Sequence, residues 1–106
     1  MAYITFLVNR EAISVMNRRT VISVDGGKSF PALGNLFEYF KIDRGDHSVI
    51  VTSENGQSWE CADYVGNSDV MNIKLTVGDD GNVVSVGFNI GPEPSGMMFM
   101  KKKKLP

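Results

Sequence analysis

The sequence predicts an all-β fold, a small antiparallel β-sandwich of about seven to eight strands with immunoglobulin-like or prealbumin-like architecture. Apolar β-branched and aromatic residues alternate with polar residues over short segments, which is the pattern of half-buried strands. Turn signals separate these segments, most clearly at Asp25–Gly27 and Asn55–Gly56. No segment carries a strong helical period, and short strands joined by tight turns favour a sandwich. A small closed barrel shows the same alternation and is the alternative fold that the sequence does not exclude.

The chain begins with a predicted strand over Ala2–Val8. Ile4, Phe6 and Val8 share one face of that strand, Tyr3, Thr5 and Leu7 share the other, and one of the two faces is expected to lie in the core. Residues 9–19 show no decided pattern and predict an irregular segment or a short strand.

A hairpin is predicted next, with strands at Thr20–Asp25 and Lys28–Phe30. Gly26 in its turn can adopt a positive φ at little cost. Pro31 cannot donate a ladder hydrogen bond, so the second strand should lie at a sheet edge or end there. The aromatic-rich segment Leu36–Ile42 predicts a further strand.

Two more antiparallel hairpins are predicted in the second half of the chain. The first joins His47–Ser53 to Gln57–Ala62, after which residues 63–68 are predicted to form a loop. The second joins Met71–Val77 to Val83–Ile90, where the alternation of apolar and polar residues is clearest.

Charge is distributed unevenly along the 106 residues. The chain has 11 Lys and Arg against 12 Asp and Glu, and four of the lysines stand together at Lys101–Lys104. The rest of the chain is mildly acidic and lacks the basic face that nucleic-acid binding needs. We expect one domain over residues 1–100 and a solvated basic tail over 101–106, with no membrane span.

Composition limits the chemistry as well. The single cysteine, Cys61, permits no internal disulfide or multi-cysteine metal site, and the single histidine, His47, permits no multi-histidine site. The acidic turns lack the alternating carboxylate order of a calcium loop. We therefore expect no cofactor and no metal. No secretory signal is visible, so a cytoplasmic location is the default expectation.

Residues 21–52 resemble the bacterial PEGA domain and related carboxypeptidase-regulatory-like β-sandwiches. The matching residues are Val24–Gly26 at the end of one strand and Gly45–His47 before another. The Pro-x-Gly-rich segment that names PEGA domains is absent, and Ser29–Gly34 stands in its place. The resemblance implies a sandwich of about seven strands that serves as an accessory or interaction module. It carries over no catalytic residues.

Aromatic residues are the first candidate binding surface. Trp59 and Tyr64 follow a predicted hairpin and lead into a loop, where together they would stack on a sugar ring or anchor a protein partner. The alternative is that Trp59 fills the core, as large aromatic residues often do. Tyr39 and Phe37 are expected to face outward if their neighbours in sequence face the core.

The second candidate is the last predicted strand, formed by Met97, Met98, Phe99 and Met100. It follows a segment rich in proline and glycine and is expected at a sheet edge, where unpaired backbone groups can take up another chain. The lysines that follow would limit uncontrolled growth at that edge. This predicts homodimerisation through the edge.

His47 is the candidate for a different class of function, an enzyme with a site shared between subunits. The alternative is a structural role, because its position two residues after Gly45 predicts a residue at the start of a strand that is hydrogen-bonded to the neighbouring turn. A relay with Asp46 and Ser48 is geometrically poor, because adjacent strand residues point to opposite faces. A thiol-imidazole pair with Cys61 is a further alternative.

The function that the sequence supports best is a non-catalytic interaction module whose partner is a protein, a glycan or a second copy. A ligand-carrying barrel and an enzyme that uses His47 are the alternatives.

Overall fold

The structure, a computed structural model, describes residues 2–8, 20–31, 39–91 and 96–103. These residues form strands, turns and bends and contain no helix. In chain order the strands are β1 (Ala2–Val8), β2 (Val21–Val24), β3 (Lys28–Pro31), β4 (Tyr39–Ile42), β5 (Gly45–Thr52), β6 (Ser58–Val65), β7 (Val70–Val77), β8 (Val83–Gly91), β9 (Met98–Phe99) and β10 (Lys101–Lys103).

The strands form two five-stranded sheets that pack face to face. Sheet A has the order β4-β1-β7-β8-β9, and sheet B has the order β10-β6-β5-β2-β3. Within the described residues no strand of one sheet pairs with a strand of the other, so these strands form a sandwich rather than a closed barrel. The expected all-β sandwich is confirmed.

Two features of the sandwich differ from the expectation. The described residues contain ten strands because the last two are short additions at the sheet edges. One neighbouring pair is parallel: β1 runs beside β7 with Tyr3 opposite Val70 and Val8 opposite Leu75. Alternation shows which side chains face the core, but it does not show which strand is the neighbour.

The core lies between the sheets and is formed by alternate residues of the strands. Sheet A contributes most of it, and Met100, between β9 and β10, is buried as well. The buried apolar residues are Ala2, Ile4, Phe6, Ile22, Val24, Val49, Val51, Trp59, Val65, Met71, Ile73, Leu75, Val77, Val83, Val86, Phe88 and Met100.

Most predicted elements are found in the structure. β2 and β3 form the first hairpin, and Pro31 ends β3 at the edge of sheet B. β5 and β6 form the second hairpin, and β7 and β8 form the third. The aromatic strand is shown as β4, while residues 9–19 and 32–38 lie outside the described residues.

One predicted boundary is wrong, and part of the predicted tail is a strand. The loop expected at residues 63–68 begins later, because β6 continues to Val65 and pairs with β5 as far as Gly45. Asp63 breaks the apolar alternation there. It lies on the same face of β6 as the half-buried Cys61 and the buried Val65, but it is itself exposed. Lys101–Lys103, predicted to belong to a solvated tail, form β10.

The part of the chain that the structure describes has no helix of the length and apolar character that crossing a membrane requires.

A buried serine links the turns of the two sheets. Ser53, after β5, donates from its hydroxyl to Oδ1 of Asn82 at 3.2 Å and accepts the Val83 N–H at 3.1 Å. Its own N–H donates to the Gln57 carbonyl at 2.8 Å. Because Asn82 lies in the turn between β7 and β8 and Val83 begins β8, this hydroxyl links the two sheets at one end of the sandwich.

Replacing Ser53 by Ala is expected to lower the free energy of unfolding by about 1–3 kcal/mol, because the Val83 N–H then loses its buried acceptor. Ser48→Ala is the matched control, since Ser48 is exposed and bonds Asp25 through its backbone. Urea denaturation of the two variants measures the difference. Equal stability of the variants within about 0.5 kcal/mol contradicts the prediction.

Candidate functional site

Trp59 and Tyr64, predicted to share one binding surface, lie on opposite faces of β6. They are separated by an odd number of positions, which directs their side chains to opposite sides of the sheet. Trp59 is 3% exposed in the core, whereas Tyr64 is 54% exposed. The prediction of one stacking platform is therefore wrong, and the alternative role of Trp59 as a core residue is the one that the structure shows.

The lysine strand β10 places Lys102 over the Trp59 ring. Lys102 is the ladder partner of Trp59, and its Nζ lies 5.8 Å from the centre of the ring. At this distance the ammonium interacts favourably with the π face. Lys101 is the ladder partner of Glu60, which places opposite charges across the two strands. Lys101–Lys103 therefore contribute to the sandwich.

The other two aromatic candidates belong to the same part of the chain. Tyr39 begins β4, the edge strand of sheet A, and is the ladder partner of Thr5. Phe37 lies outside the described residues. Phe40 and Ile42 pack against the core, which is the condition under which Tyr39 and Phe37 were predicted to face outward. The outward position of Tyr39 and Phe37 stays a prediction.

The predicted interface strand is divided between the surface and the core. Met98 and Phe99 form β9 at the edge of sheet A and are 63% and 81% exposed. Met100 is only 5% exposed, and its N–H donates to the Val86 carbonyl at 2.7 Å. The edge position is thus shown for Met98 and Phe99, while Met100 is a core residue at the point where the chain crosses to sheet B. Met97 is half-buried.

His47 joins two turns that are distant in sequence. Its Nδ1 lies 2.7 Å from Oδ2 of Asp25, in the turn between β2 and β3, and its Nε2 bonds the carbonyl oxygen of Asp43, before β5. Asp25 has a φ of 55°, a region that aspartate tolerates better than most residues. Its Oδ1 accepts the Ser48 N–H at 2.9 Å, and its own N–H donates to the Ser48 carbonyl at 2.8 Å.

This arrangement specifies the charge of the imidazole. Both ring nitrogens of His47 face acceptors, a carboxylate oxygen and a carbonyl oxygen. A neutral imidazole carries one N–H and would turn a lone pair towards one of them. With Asp25 as the carboxylate, both hydrogen bonds form together only when His47 is the imidazolium.

The pKa shifts of the pair agree with this geometry. Burial on its own would lower the pKa of His47, but the Asp43 carbonyl and the Asp25 carboxylate outweigh it and raise that pKa above 6.5. Burial on its own would raise the pKa of Asp25, but the hydrogen bonds from Ser48 and His47 outweigh it and hold that pKa below 3.8. Both shifts thus favour the charged forms, the imidazolium of His47 and the carboxylate of Asp25.

Neither catalytic arrangement considered from the sequence is formed. Ser48 is exposed while His47 is buried, so the two side chains lie on opposite faces of β5. In the ladder His47 is opposite Asp63, and Cys61 is opposite Val49. Burial, with a smaller contribution from Asp63, raises the pKa of the Cys61 thiol to about 12, which suppresses the nucleophilic thiolate.

Two shallow depressions flank the His47–Asp25 pair. One, of about 450 Å³, lies between this pair and β4, where Lys41, Ile42 and Asp43 line it. The other, of about 550 Å³, extends over β5 and β6 to Tyr64. Among the described residues, no group of three or more His, Cys, Asp and Glu side chains could hold a metal ion.

Sequence reasoning missed Asp25 as the partner of His47. It assigned Asp25 only to the turn before Gly26, and the motif gave no sign of a second role. Asp25 follows β2 and His47 lies near the start of β5, and nothing in the local sequence links the two. Pairing of β2 with β5 brings them together, and this pairing cannot be inferred from alternation.

The wild type is expected to lose its stability advantage over His47→Gln as pH rises. The folded-state pKa of His47 is raised, so its contribution is complete below 6.5 and is lost as pH rises through the folded-state value. The contribution of Asp25, whose folded-state pKa is lowered, is present above 3.8 and is lost as pH falls through its folded-state value.

Urea denaturation of both proteins from about pH 3 to about pH 9 tests this, with an NMR titration of the single imidazole as a direct check. A stability difference that is constant over that range, or an imidazole pKa below 6.5, contradicts the assignment.

Replacing Met100 by Ala is expected to cost about 2–5 kcal/mol of unfolding free energy, because it leaves a cavity where the chain crosses between the sheets. Met98→Ala is the matched control and should change stability by less than about 0.5 kcal/mol, since Met98 is mostly exposed. Thermal or urea unfolding at low protein concentration measures both. Similar losses in the two variants would show that Met100 is not a core residue.

Comparison with protein-family models, curated proteins and solved structures finds no match to this chain. The resemblance to the PEGA domain therefore stays a prediction. The fold and the geometry of these residues are the basis on which function is inferred.

Proposed function

We propose that this protein is a non-catalytic interaction module that associates with a second copy of itself through β9. The observation that carries the proposal is the grouping of exposed apolar side chains at this edge. Among the described residues five large hydrophobic side chains are exposed, and three of them, Val84, Met98 and Phe99, belong to β8 and β9.

The backbone of β9 supports strand addition. The Met100 N–H points to β8, where it bonds Val86. Backbone direction alternates along a strand, so Phe99 directs its N–H and C=O away from β8. In the described part of the chain no strand lies on that side of β9. An incoming strand would find backbone groups and apolar side chains together.

A second copy fits this edge better than a charged partner does. Two-fold antiparallel pairing about Phe99 would place the Phe99 residues of the two copies opposite each other, so apolar side chains meet apolar side chains. The two Lys101 residues would then lie about 14 Å apart, beyond the screening length of about 8 Å at physiological salt. Because β9 is only two residues long, we expect a small interface and a weak, reversible dimer.

No comparable observation supports the two alternative functions, an enzyme that uses His47 and a ligand carrier. An enzyme that uses His47 needs a ring nitrogen to exchange protons with a substrate, and both nitrogens are engaged within the protein. A carrier needs an enclosed site, and the two depressions beside His47 open to the surface.

Sedimentation velocity over a range of protein concentrations tests the proposal. The wild type is expected to show a concentration-dependent dimer, and Phe99→Lys is expected to remain monomeric because it places two lysines against the apolar edge. Tyr64→Lys is the matched control, an aromatic-to-lysine change on the other sheet, and should dimerise like the wild type. A wild type that stays monomeric, or a Phe99→Lys variant that still dimerises, contradicts the proposal.

Native mass spectrometry of the same samples distinguishes an interaction module from a ligand carrier. A monomer that carries a discrete bound small molecule would contradict the interaction module and support a carrier.

A further inference from the structure

We propose that the open half of β6, residues Cys61–Val65, binds an extended segment of another protein that is rich in lysine or arginine. The segment would add to sheet B as a strand. This proposal does not depend on dimerisation through β9, because the two edges belong to different sheets.

Only half of β6 has a neighbour on each side. β5 pairs with β6 along its whole length, from Ser58 to Val65. On the opposite side β10 pairs with Ser58–Glu60 and goes no further, because the chain crosses to sheet A at Met100. Within the described ranges no strand lies beside Cys61–Val65 on that side.

The backbone groups of this half point to the open side. Ser48 directs its N–H and C=O to Asp25, away from β6. Ala62 is the ladder partner of Ser48, so this is a pair in which neither residue bonds the other. Ala62, and Tyr64 two positions on, therefore direct their N–H and C=O to the open edge.

One of these edge groups is capped by a neighbouring side chain. The Tyr64 N–H donates to Oδ1 of Asp63 at 2.8 Å, and the bond is exposed to solvent. The carboxylate occupies the position that the carbonyl of an added strand would take. An incoming strand replaces this cap with its own carbonyl, and a cationic side chain of the same strand then pairs with the released carboxylate.

The surroundings favour cations. The depression beside this edge is lined by Asp46, Asp63 and Asp25, with His47 and without any lysine or arginine. Asp25 is already paired with His47, which leaves the other two carboxylates for a partner.

The exposed Tyr64 is the ladder partner of Asp46, so its ring lies beside a carboxylate. A guanidinium or ammonium group can contact the π face and the carboxylate together. A second copy is disfavoured as the occupant of this edge, because two-fold pairing about Asp63 would bring two acidic rims together.

The test uses two amidated peptides, one of alternating lysine and valine and one of alternating glutamate and valine, titrated into ¹⁵N-labelled protein. The lysine peptide is expected to shift the backbone amides of Ala62–Tyr64 and to slow hydrogen exchange at Ala62. The glutamate peptide should leave them unchanged. Binding should weaken as salt rises.

Two variants separate the backbone from the charges. Ala62→Pro removes an edge-facing N–H, which is the kind of position where proline is tolerated in a strand, and should abolish binding. The double variant Asp46→Asn with Asp63→Asn should weaken binding about tenfold. Phe99→Lys is the control and should bind like the wild type.

The proposal is overturned if the lysine peptide shifts amides elsewhere or nowhere, if the glutamate peptide binds equally, or if the double variant binds unchanged. It is also overturned if the Ala62 and Tyr64 amides shift with protein concentration alone, since a second copy would then occupy the edge. If Ala62→Pro does not fold, the double variant and the glutamate peptide decide the result.

Discussion

Burial of two apolar sheet faces against each other is the constraint on which this structure depends. No described strand of sheet A forms a ladder with a strand of sheet B, so side-chain packing must hold the sheets together. Ser53 adds a buried hydrogen-bonded link at one end, and Met100 adds a covalent crossing. A sandwich joined in this way leaves sheet edges open, and the character of each edge determines what the molecule can bind.

The edges of the described sheets differ in chemistry. β3 ends with Pro31, which has no N–H for another strand, and β4 carries an exposed lysine, Lys41. β10 consists of lysines, and its charge discourages pairing with another chain. β9 and the second half of β6 lack such protection, apart from the Asp63 cap. The two proposed interfaces are thus the two edges that the sequence protects least.

Local patterns made most of the fold predictable. The alternation over Met71–Val77 placed its apolar residues in the core, and the spacing of Ile22 and Val24 agrees with their burial on one face of β2. Pro31 indicated an edge strand correctly. Each of these inferences needs only the chemistry of residues close together in sequence.

What could not be predicted depends on residues distant in sequence. The parallel neighbour of β1, the partner of His47 and the pairing of β10 with β6 all follow from which strands are adjacent. The candidate binding surface was predicted least well, because the face of β6 that meets the core determines which of Trp59 and Tyr64 is buried and which is exposed. Lys101–Lys103 show the same limit, since a run of one charge is typical of a solvated tail and pairs as a strand only because β6 offers it an edge.

The crossing at Met100 also joins an edge of one sheet to an edge of the other. β9 completes sheet A and β10 completes sheet B, and a single residue separates them. Fraying of this end would withdraw a strand from each sheet in one event and expose β8 and β6 together. We therefore expect the last strands to open and close as one cooperative unit.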